Sequence, residues 1–211
     1  MARLVPGAAT SRLQSVRENG PRVLRSRMNL KDIFRRFVPM RWQRTTRGEP
    51  LSMVLLLRKP HLFSAEELQH AAERAWRMSF AGREDNSKHC VVQSATVTFM
   101  KAGPHALSVF HNPKPYFGDD PKENVNWLPH LSQQQAWINH SAWAAVNYLN
   151  GGVRVELGYA VLSKLVAEML DGNCTGVYSP RQGSLIPNDE SLYLELHKLA
   201  SACESGVNMK T

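Results

Sequence analysis

The sequence has few cysteines and no long hydrophobic run. Its three cysteines, Cys90, Cys174 and Cys203, lie far apart and form no C-x-x-C pair. Such a set argues against a disulfide framework or a zinc ribbon and favours a reducing, cytoplasmic compartment. The longest apolar run, Met53–Leu57, has only five residues, whereas a membrane-spanning helix needs about 20. The N-terminal region also lacks the apolar core of a secretory signal.

The familiar motifs of catalysis are missing as well. The chain contains no phosphate-binding glycine loop, no H-E-x-x-H, no nucleophile elbow and no paired-cysteine motif. Each of these motifs marks a particular cofactor, metal or nucleophile. The sequence therefore predicts no cofactor and no metal, and it favours a protein that is not an enzyme.

Positive charge is concentrated in the first 47 residues. They hold twelve Lys or Arg and two acids, a charge of +10, whereas the other 164 residues hold 14 basic and 16 acidic side chains, a charge of −2. We therefore predict a basic arm, residues 1–49, and a single domain, residues 50–204. The arm has no nucleic-acid-binding motif, and loose arginines promise only unspecific phosphate contact, so we predict no specific nucleic-acid binding.

Within the arm, residues 1–27 are predicted to be disordered, and residues 29–38 to form a short amphipathic helix. The apolar stripe of this helix recurs at i, i+3, i+4, i+7 and i+8, and consists of Leu30, Ile33, Phe34, Phe37 and Val38. Such a helix can touch a membrane surface, bind a partner, form part of a targeting sequence or pack on the domain. Translation from Met28 is a further alternative, in which residues 1–27 are not made.

The domain is predicted to be α+β. Residues 51–58 are nearly all apolar, as in a central strand covered on both faces. Ser64 and Glu67 form a capping box that opens a helix, and a second box is predicted at Ser132 and Gln135. The predicted strands are 51–58, 90–101, 106–111, 141–149 and 174–178, and the predicted helices are 64–78, 132–138, 153–170 and 188–202.

The order of these elements predicts a topology. The first six match a ferredoxin-like split β-α-β unit, and a helix–strand–helix is added at the C-terminus. We expect a mainly antiparallel sheet with its helices on one face.

Trp127, His130, Trp137, His140 and Trp143 form the densest group of unusual side chains. They are the predicted binding residues, and His140 is the one candidate for catalysis. His140 falls between a short helix and the next strand, where an imidazole can serve as a base or a metal ligand. The alternative, which the sequence favours, is that His140 caps the helix C-terminus while the tryptophans fill the core.

Three other histidines and one loop can each be interpreted as functional or as merely structural. If the predicted hairpin pairs, His89, His105 and His111 could approach one another and, with the thiol of Cys90, form a metal site, although histidines at strand ends are commonly just solvated. Segment 112–126 is rich in Pro, Gly, Asp and Lys, and a structureless loop of this length is functional or mobile.

Two motifs resemble those of an uncharacterised bacterial family, a domain of unknown function. They are QAWINHSAW at 135–143, followed by a long helix rich in Ala and Leu, and CTGVYSP at 174–180. The resemblance covers roughly residues 50–202, and its centre is a helix, a W-x-x-H and a strand. It implies an α+β fold and a bacterial origin, brings no catalytic residue, and favours a binding role of the toxin-immunity type.

Two functions follow from these patterns. The first is a non-enzymatic, cytoplasmic module that binds another protein through the loop 112–130, with its aromatic residues Tyr116, Phe117 and Trp127, and through the Trp/His group. Helix 29–38 would add weak membrane-surface contact. The alternative is a small hydrolase or metal-dependent enzyme centred on His140. It requires a second polar group beside this histidine, such as His111, Asp119 or Ser141.

Overall fold

The computed structural model describes residues 51–81, 88–118, 120–150 and 154–207, except for the side chains of Asn124 and of residues 202–207. The predicted arm, residues 1–49, and its helix at 29–38 lie outside the described residues. None of the described helices is both long and apolar enough to cross a membrane.

Seven strands and four α-helices follow one another along the described part of the chain. The strands are β1 (Leu51–Leu57), β2 (His89–Gln93), β3 (Val97–Ala102), β4 (His105–Asn112), β5 (Ala142–Tyr148), β6 (Cys174–Ser179) and β7 (Ser184–Pro187). The helices are α1 (Ala65–Trp76), α2 (Leu131–Ile138), α3 (Val155–Met169) and α4 (Glu190–Val207). A short 3-10 helix, Pro121–Asn124, lies between β4 and α2.

All seven strands form one sheet in the order β2-β3-β4-β5-β1-β6-β7. Every neighbouring pair is antiparallel. The predicted α+β class with a mainly antiparallel sheet is therefore confirmed. β1 lies inside the sheet between β5 and β6, and its residues Met53–Leu57 are all buried. This explains why its sequence is a continuous apolar run rather than an alternating one.

The two faces of the sheet carry different layers. Successive side chains of a strand point to opposite faces, so Met53, Leu55 and Leu57 join the core beneath α1, α3 and α4. Val54 and Leu56 point to the other face, where they pack with Ala136 and Trp137 of α2. We call these the three-helix face and the α2 face.

The position of α2 differs from the prediction that all helices share one face. The physical reason is that β1 is apolar on both sides, which leaves Val54 and Leu56 in need of a cover that α2 provides.

The strand order also differs from the ferredoxin-like one, which would place β1 between β4 and β5. Here β5 lies between β4 and β1, because the other edge of β1 is taken by the β6–β7 hairpin.

Two local predictions were wrong. The predicted strand 90–101 is two strands, β2 and β3, because the chain turns at Ser94, whose N–H donates to the carbonyl of Val97. The second capping box does not start at Ser132, since His130 is the N-cap of α2 and its N–H donates to Gln133 Oε1.

The predicted box at the start of α1 is confirmed. Ser64 Oγ accepts from the N–H of Glu67, and Glu67 Oε2 accepts from the N–H of Ser64. The hydrogen bond from the Ser64 backbone is the main reason why the pKa of Glu67 lies below its ordinary value.

Replacing Gly176 of β6 with alanine should destabilise the fold. An added Cβ would lie 2.8 Å from the backbone oxygen of Ile186 on the neighbouring β7, so the two strands must move apart. We expect a loss of about 1–3 kcal/mol in the free energy of unfolding, measured by urea denaturation. Gly172→Ala is the matched control, because no described atom lies within 4 Å of its added Cβ. Equal stabilities of the two variants would contradict the close contact.

Candidate functional site

Six aromatic side chains meet on the α2 face, and we call them the aromatic cluster. Three come from the segment between β4 and α2, one from α2, and two from the sheet: Tyr116, Phe117, Trp127, Trp137, Trp143 and Tyr178. The sequence pattern found five of these rings but not Tyr178 as a site residue. The feature of the sequence that could have identified Tyr178 is its position near the end of a strand, β6, that pairs with the apolar β1.

Trp137 is the centre of the aromatic cluster. Its ring centroid lies 5.4 Å from that of Trp127, 5.7 Å from that of Tyr178 and 6.1 Å from that of Phe117. The side chain is 0% exposed and packs against β1. Among the described residues, its indole Nε1–H has no hydrogen-bond acceptor. Trp137 therefore holds the helix, the loop and the sheet together mainly through apolar and ring–ring contacts.

The tryptophans differ in their exposure to solvent. Trp127 is 43% exposed and rests edge-on against Trp137, at an interplanar angle of 87°. Trp143, on β5, is half-buried and contacts Tyr116 at 5.1 Å between ring centroids. The three predicted tryptophans therefore share one cluster, but only Trp127 offers a large surface to a partner.

His140 joins the loop to the end of α2. Its Nδ1–H donates to the carbonyl of Trp137, and its Nε2 accepts the N–H of Tyr116 at 2.9 Å. This tautomer is assigned from the two backbone partners. The ring is 3% exposed, and burial lowers the pKa of His140, although the hydrogen bond with Trp137 opposes this shift. The imidazole is therefore a neutral brace with both of its nitrogens bonded to the backbone.

This geometry favours the structural alternative for His140 over the catalytic one. A general base or a metal ligand needs a free ring nitrogen, and His140 would have to break a backbone bond to provide it. Ser141 Oγ donates instead to the carbonyl of Arg58 at 2.6 Å. His111 Nε2 accepts the N–H of Phe63 at 3.3 Å, and Asp119 lies outside the described residues.

His130 lies away from His140, at the opposite end of α2. Its side chain is exposed, and only its backbone takes part in the cap. The structure therefore separates the two predicted site histidines by the length of the helix.

The histidines of the hairpin do not form a metal site. His105 and His111 stand six residues apart on β4, which corresponds to about 20 Å along a strand. His105 Nδ1 instead forms a 2.8 Å hydrogen bond with the hydroxyl of Tyr148. Within the described ranges, no group of three His, Cys, Asp or Glu side chains could hold a metal ion.

His105 and His111 resemble His140 in being held neutral. Burial is the main cause that lowers the pKa of each. The charge of Lys164 adds to this effect at His105, and at His111 the charge of His61 adds to it while that of Glu67 opposes it. All three imidazoles are therefore harder to protonate in the folded chain than in the unfolded one.

The fold should become less stable as the pH falls from 7.5 to 5. A histidine whose pKa is lowered by folding binds fewer protons in the folded chain, so its contribution is complete above the unfolded pKa of about 6.5 and is lost as the pH falls through the folded value. Urea unfolding across this range measures the change. Carboxylates contribute little to it, because the unfolded pKa values of Asp and Glu already lie below pH 5, and the lowered pKa values of Glu67, Glu73 and Asp189 act only at still lower pH. A free energy of unfolding that stays constant or rises would contradict the three neutral histidines.

The resemblance of residues 135–143 and 174–180 to a W-x-x-H family stays a prediction. In comparisons with known proteins, the chain matches no protein-family model, no curated protein and no solved structure.

Proposed function

We propose that the protein is a non-enzymatic interaction module that binds another protein through the exposed rings of Phe117 and Trp127. The single observation that carries this proposal is that two large apolar side chains, 60% and 43% exposed, rest on a buried aromatic base. Aromatic residues of this kind are enriched in binding hot spots. The immunity-type role implied by the resemblance would be one case of such binding.

Both exposed rings rest on the same two side chains. Phe117 and Trp127 each contact Trp137 and Tyr178, with ring centroids 5.4–6.2 Å apart. Trp137 is fully buried and Tyr178 is 6% exposed. The base is therefore rigid, and a partner that binds the two rings loses little conformational freedom in them.

The backbone beneath Phe117 supports a binding role. Its φ angle is +63°, in the left-handed region that a bulky side chain rarely adopts. Such a conformation costs about 1–3 kcal/mol and persists where the surroundings impose it, which is common at ligand-binding positions. The strained turn holds a large apolar ring in partial contact with water.

The loop that carries the two rings also carries charges of both signs. Lys114, Asp120, Lys122 and Glu123 are exposed on the same loop. Because no single sign dominates, we expect the affinity to come from apolar burial against the two rings, and we expect the charges to set the orientation of the partner. The partner that fits is a protein segment that packs an apolar side chain against Phe117 and Trp127.

The proposed compartment is the cytoplasm, as predicted from the cysteines. Among the described residues, neither Cys90 nor Cys174 forms a disulfide, and both are buried, which supports a reducing environment.

A library of random twelve-residue peptides displayed on phage tests the binding surface. We expect the full chain to enrich peptides that share an apolar or aromatic residue. Trp127→Ala and Phe117→Ala should each weaken binding of the selected peptides about 30-fold, which corresponds to about 2 kcal/mol. Fluorescence anisotropy of the labelled peptides measures the affinity.

The matched control is Tyr193→Ala on α4, because Tyr193 is 50% exposed and lies on a helix of the opposite face. It should bind the peptides as the unmodified chain does. Selection of no common sequence, or equal binding by the Trp127→Ala variant, would overturn the proposal.

A further inference from the structure

One part of the α2 face is buried without help from α2. It is formed by Cys90 and Phe99, with Val92, Val97 and Leu149 packed against them, and we call it the outer patch. Phe99 is 1% exposed and Cys90 is 4% exposed. All five residues belong to β2 and β3 or directly follow β5, so the outer patch consists of sheet residues alone.

The described helices do not explain this burial. The strand residues that share a core with α2 belong to β1, β5, β6 and β7. The helices α1, α3 and α4 pack on the three-helix face. No described helix contributes a residue to the outer patch. A large phenylalanine on the outside of a sheet reaches 1% exposure only beneath a covering layer, so residues outside these helices supply that layer.

We propose that residues 29–38 of the arm pack on the outer patch and complete the α2 face. This segment has the required apolar side: Leu30, Ile33, Phe34, Phe37 and Val38 fall on one stripe of a helix. Lys31, Arg35 and Arg36 fall off the stripe and would remain in water. The surface involved is separate from the rings of Phe117 and Trp127, so this inference does not depend on the proposed function.

The dimensions agree with this placement. A helix of ten residues is about 15 Å long. The outer patch extends from β2 to the end of β5, which is three strand spacings, or about 14 Å. One short helix laid across the strands therefore covers it.

The length of the link between residues 29–38 and the first strand is also compatible with this placement. The first strand begins at Leu51, which pairs with Tyr148, the neighbour in sequence of Leu149 in the outer patch. Residues 39–50 form a link of twelve residues that can reach about 40 Å when extended. Such a short tether keeps the segment at an effective concentration in the millimolar range, so packing with a dissociation constant below this range gives a high occupancy.

Cys90 offers a direct probe of this contact. It belongs to the outer patch, whereas Cys174 is buried in the core of the three-helix face. Burial raises the pKa of the Cys174 thiol to about 12, which makes it a slow reference. In the full chain with Cys203→Ser, N-ethylmaleimide labelling of each cysteine can be followed by peptide mass spectrometry.

Phe34→Glu together with Phe37→Glu should speed the labelling of Cys90 at least tenfold and leave the rate of Cys174 unchanged. The matched control is Lys31→Gln together with Arg35→Gln, which changes the net charge by the same amount off the stripe. It should leave both rates as they are. An unchanged rate at Cys90 in the double-glutamate variant would overturn the proposal.

Two further measurements distinguish local release of the helix from unfolding and from membrane binding. If both cysteines become reactive in the double-glutamate variant, the milder Phe37→Ala variant decides: faster labelling of Cys90 alone supports the proposal, and equal acceleration of both overturns it. Vesicles of phosphatidylcholine and phosphatidylserine test membrane binding. They should not change the rate of Cys90 in the unmodified chain, and an increase to the rate of the double-glutamate variant would overturn the proposal, because residues 29–38 would then prefer the membrane to the outer patch.

Discussion

Replacing Trp137 with alanine is expected to lower the free energy of unfolding by about 3–5 kcal/mol, the range for large aromatic residues truncated in a core. Trp137 is fully buried between α2 and the sheet, and four rings of the aromatic cluster contact it. The variant would leave a cavity that the eight-residue α2 cannot easily close. Urea denaturation followed by circular dichroism at 222 nm measures the loss without depending on tryptophan fluorescence.

Two companion variants isolate the cause of that loss. Trp137→Phe should cost clearly less, because it keeps a ring in the core and removes an indole N–H that has no acceptor among the described residues. Trp127→Ala should cost less than about 1.5 kcal/mol, since this ring is 43% exposed. A loss of less than about 1 kcal/mol for Trp137→Ala, or an equal loss for all three variants, would mean that Trp137 does not anchor α2.

The Trp137→Ala variant also connects stability with the proposed function. Phe117 and Trp127 rest on Trp137, so a cavity beneath them would let both rings move. Peptide binding should then fall in Trp137→Ala even under conditions where the chain is still folded. This would place the binding surface on a rigid base rather than on the loop alone.

The class of the fold could be predicted because its signals are local. The apolar run Met53–Leu57 indicates a strand covered on both faces, and it is buried on both. Ser64 and Glu67 mark a helix start through contacts three residues apart. Asp189 directly precedes α4, and its carboxylate accepts from the N–H of Ser191 two residues along the chain. In each case, the residues that decide the structure are neighbours in the sequence.

The strand order could not be predicted in the same way. Whether β5 pairs with β4 depends on which strand takes the other edge of β1, and that strand, β6, begins 117 positions after Leu57. Periodicity gives the face that a strand buries but not its neighbour. The split of residues 90–101 was missed for a related reason, because both halves are β-rich and the turn at Ser94 contains neither glycine nor proline.

The candidate site was partly predictable. A histidine just after a helix is expected to bond the last carbonyls, and His140 does so. Its second bond, to the N–H of Tyr116, joins residues 24 positions apart. No spacing in the sequence indicates such a contact, because the segment between β4 and α2 has no periodicity that would fix its path.

Replacing His140 with alanine is expected to cost about 2–4 kcal/mol in the free energy of unfolding. The variant removes a buried ring together with the acceptor for the Tyr116 N–H and a donor to the Trp137 carbonyl. The turn that carries Phe117 loses its tie to α2. Urea denaturation at pH 7.5 measures the cost, and the pH dependence between 7.5 and 5 should become shallower because one of the neutral histidines is absent.

A control at the other end of α2 tests whether the loss in His140→Ala comes from the two backbone hydrogen bonds of His140. His130→Ala changes the same residue type at the other end of α2, where the side chain is exposed and makes no cap hydrogen bond, so its cost should stay within about 0.5 kcal/mol. His140→Gln provides a second comparison, since its amide can supply an acceptor near Nε2 without the donor at Nδ1, and it should fall between alanine and the native residue. If His140→Ala retained full stability and an unchanged pH dependence, the two backbone bonds would not hold the loop to the helix, and the catalytic alternative for His140 would regain its main requirement, a ring nitrogen free to act.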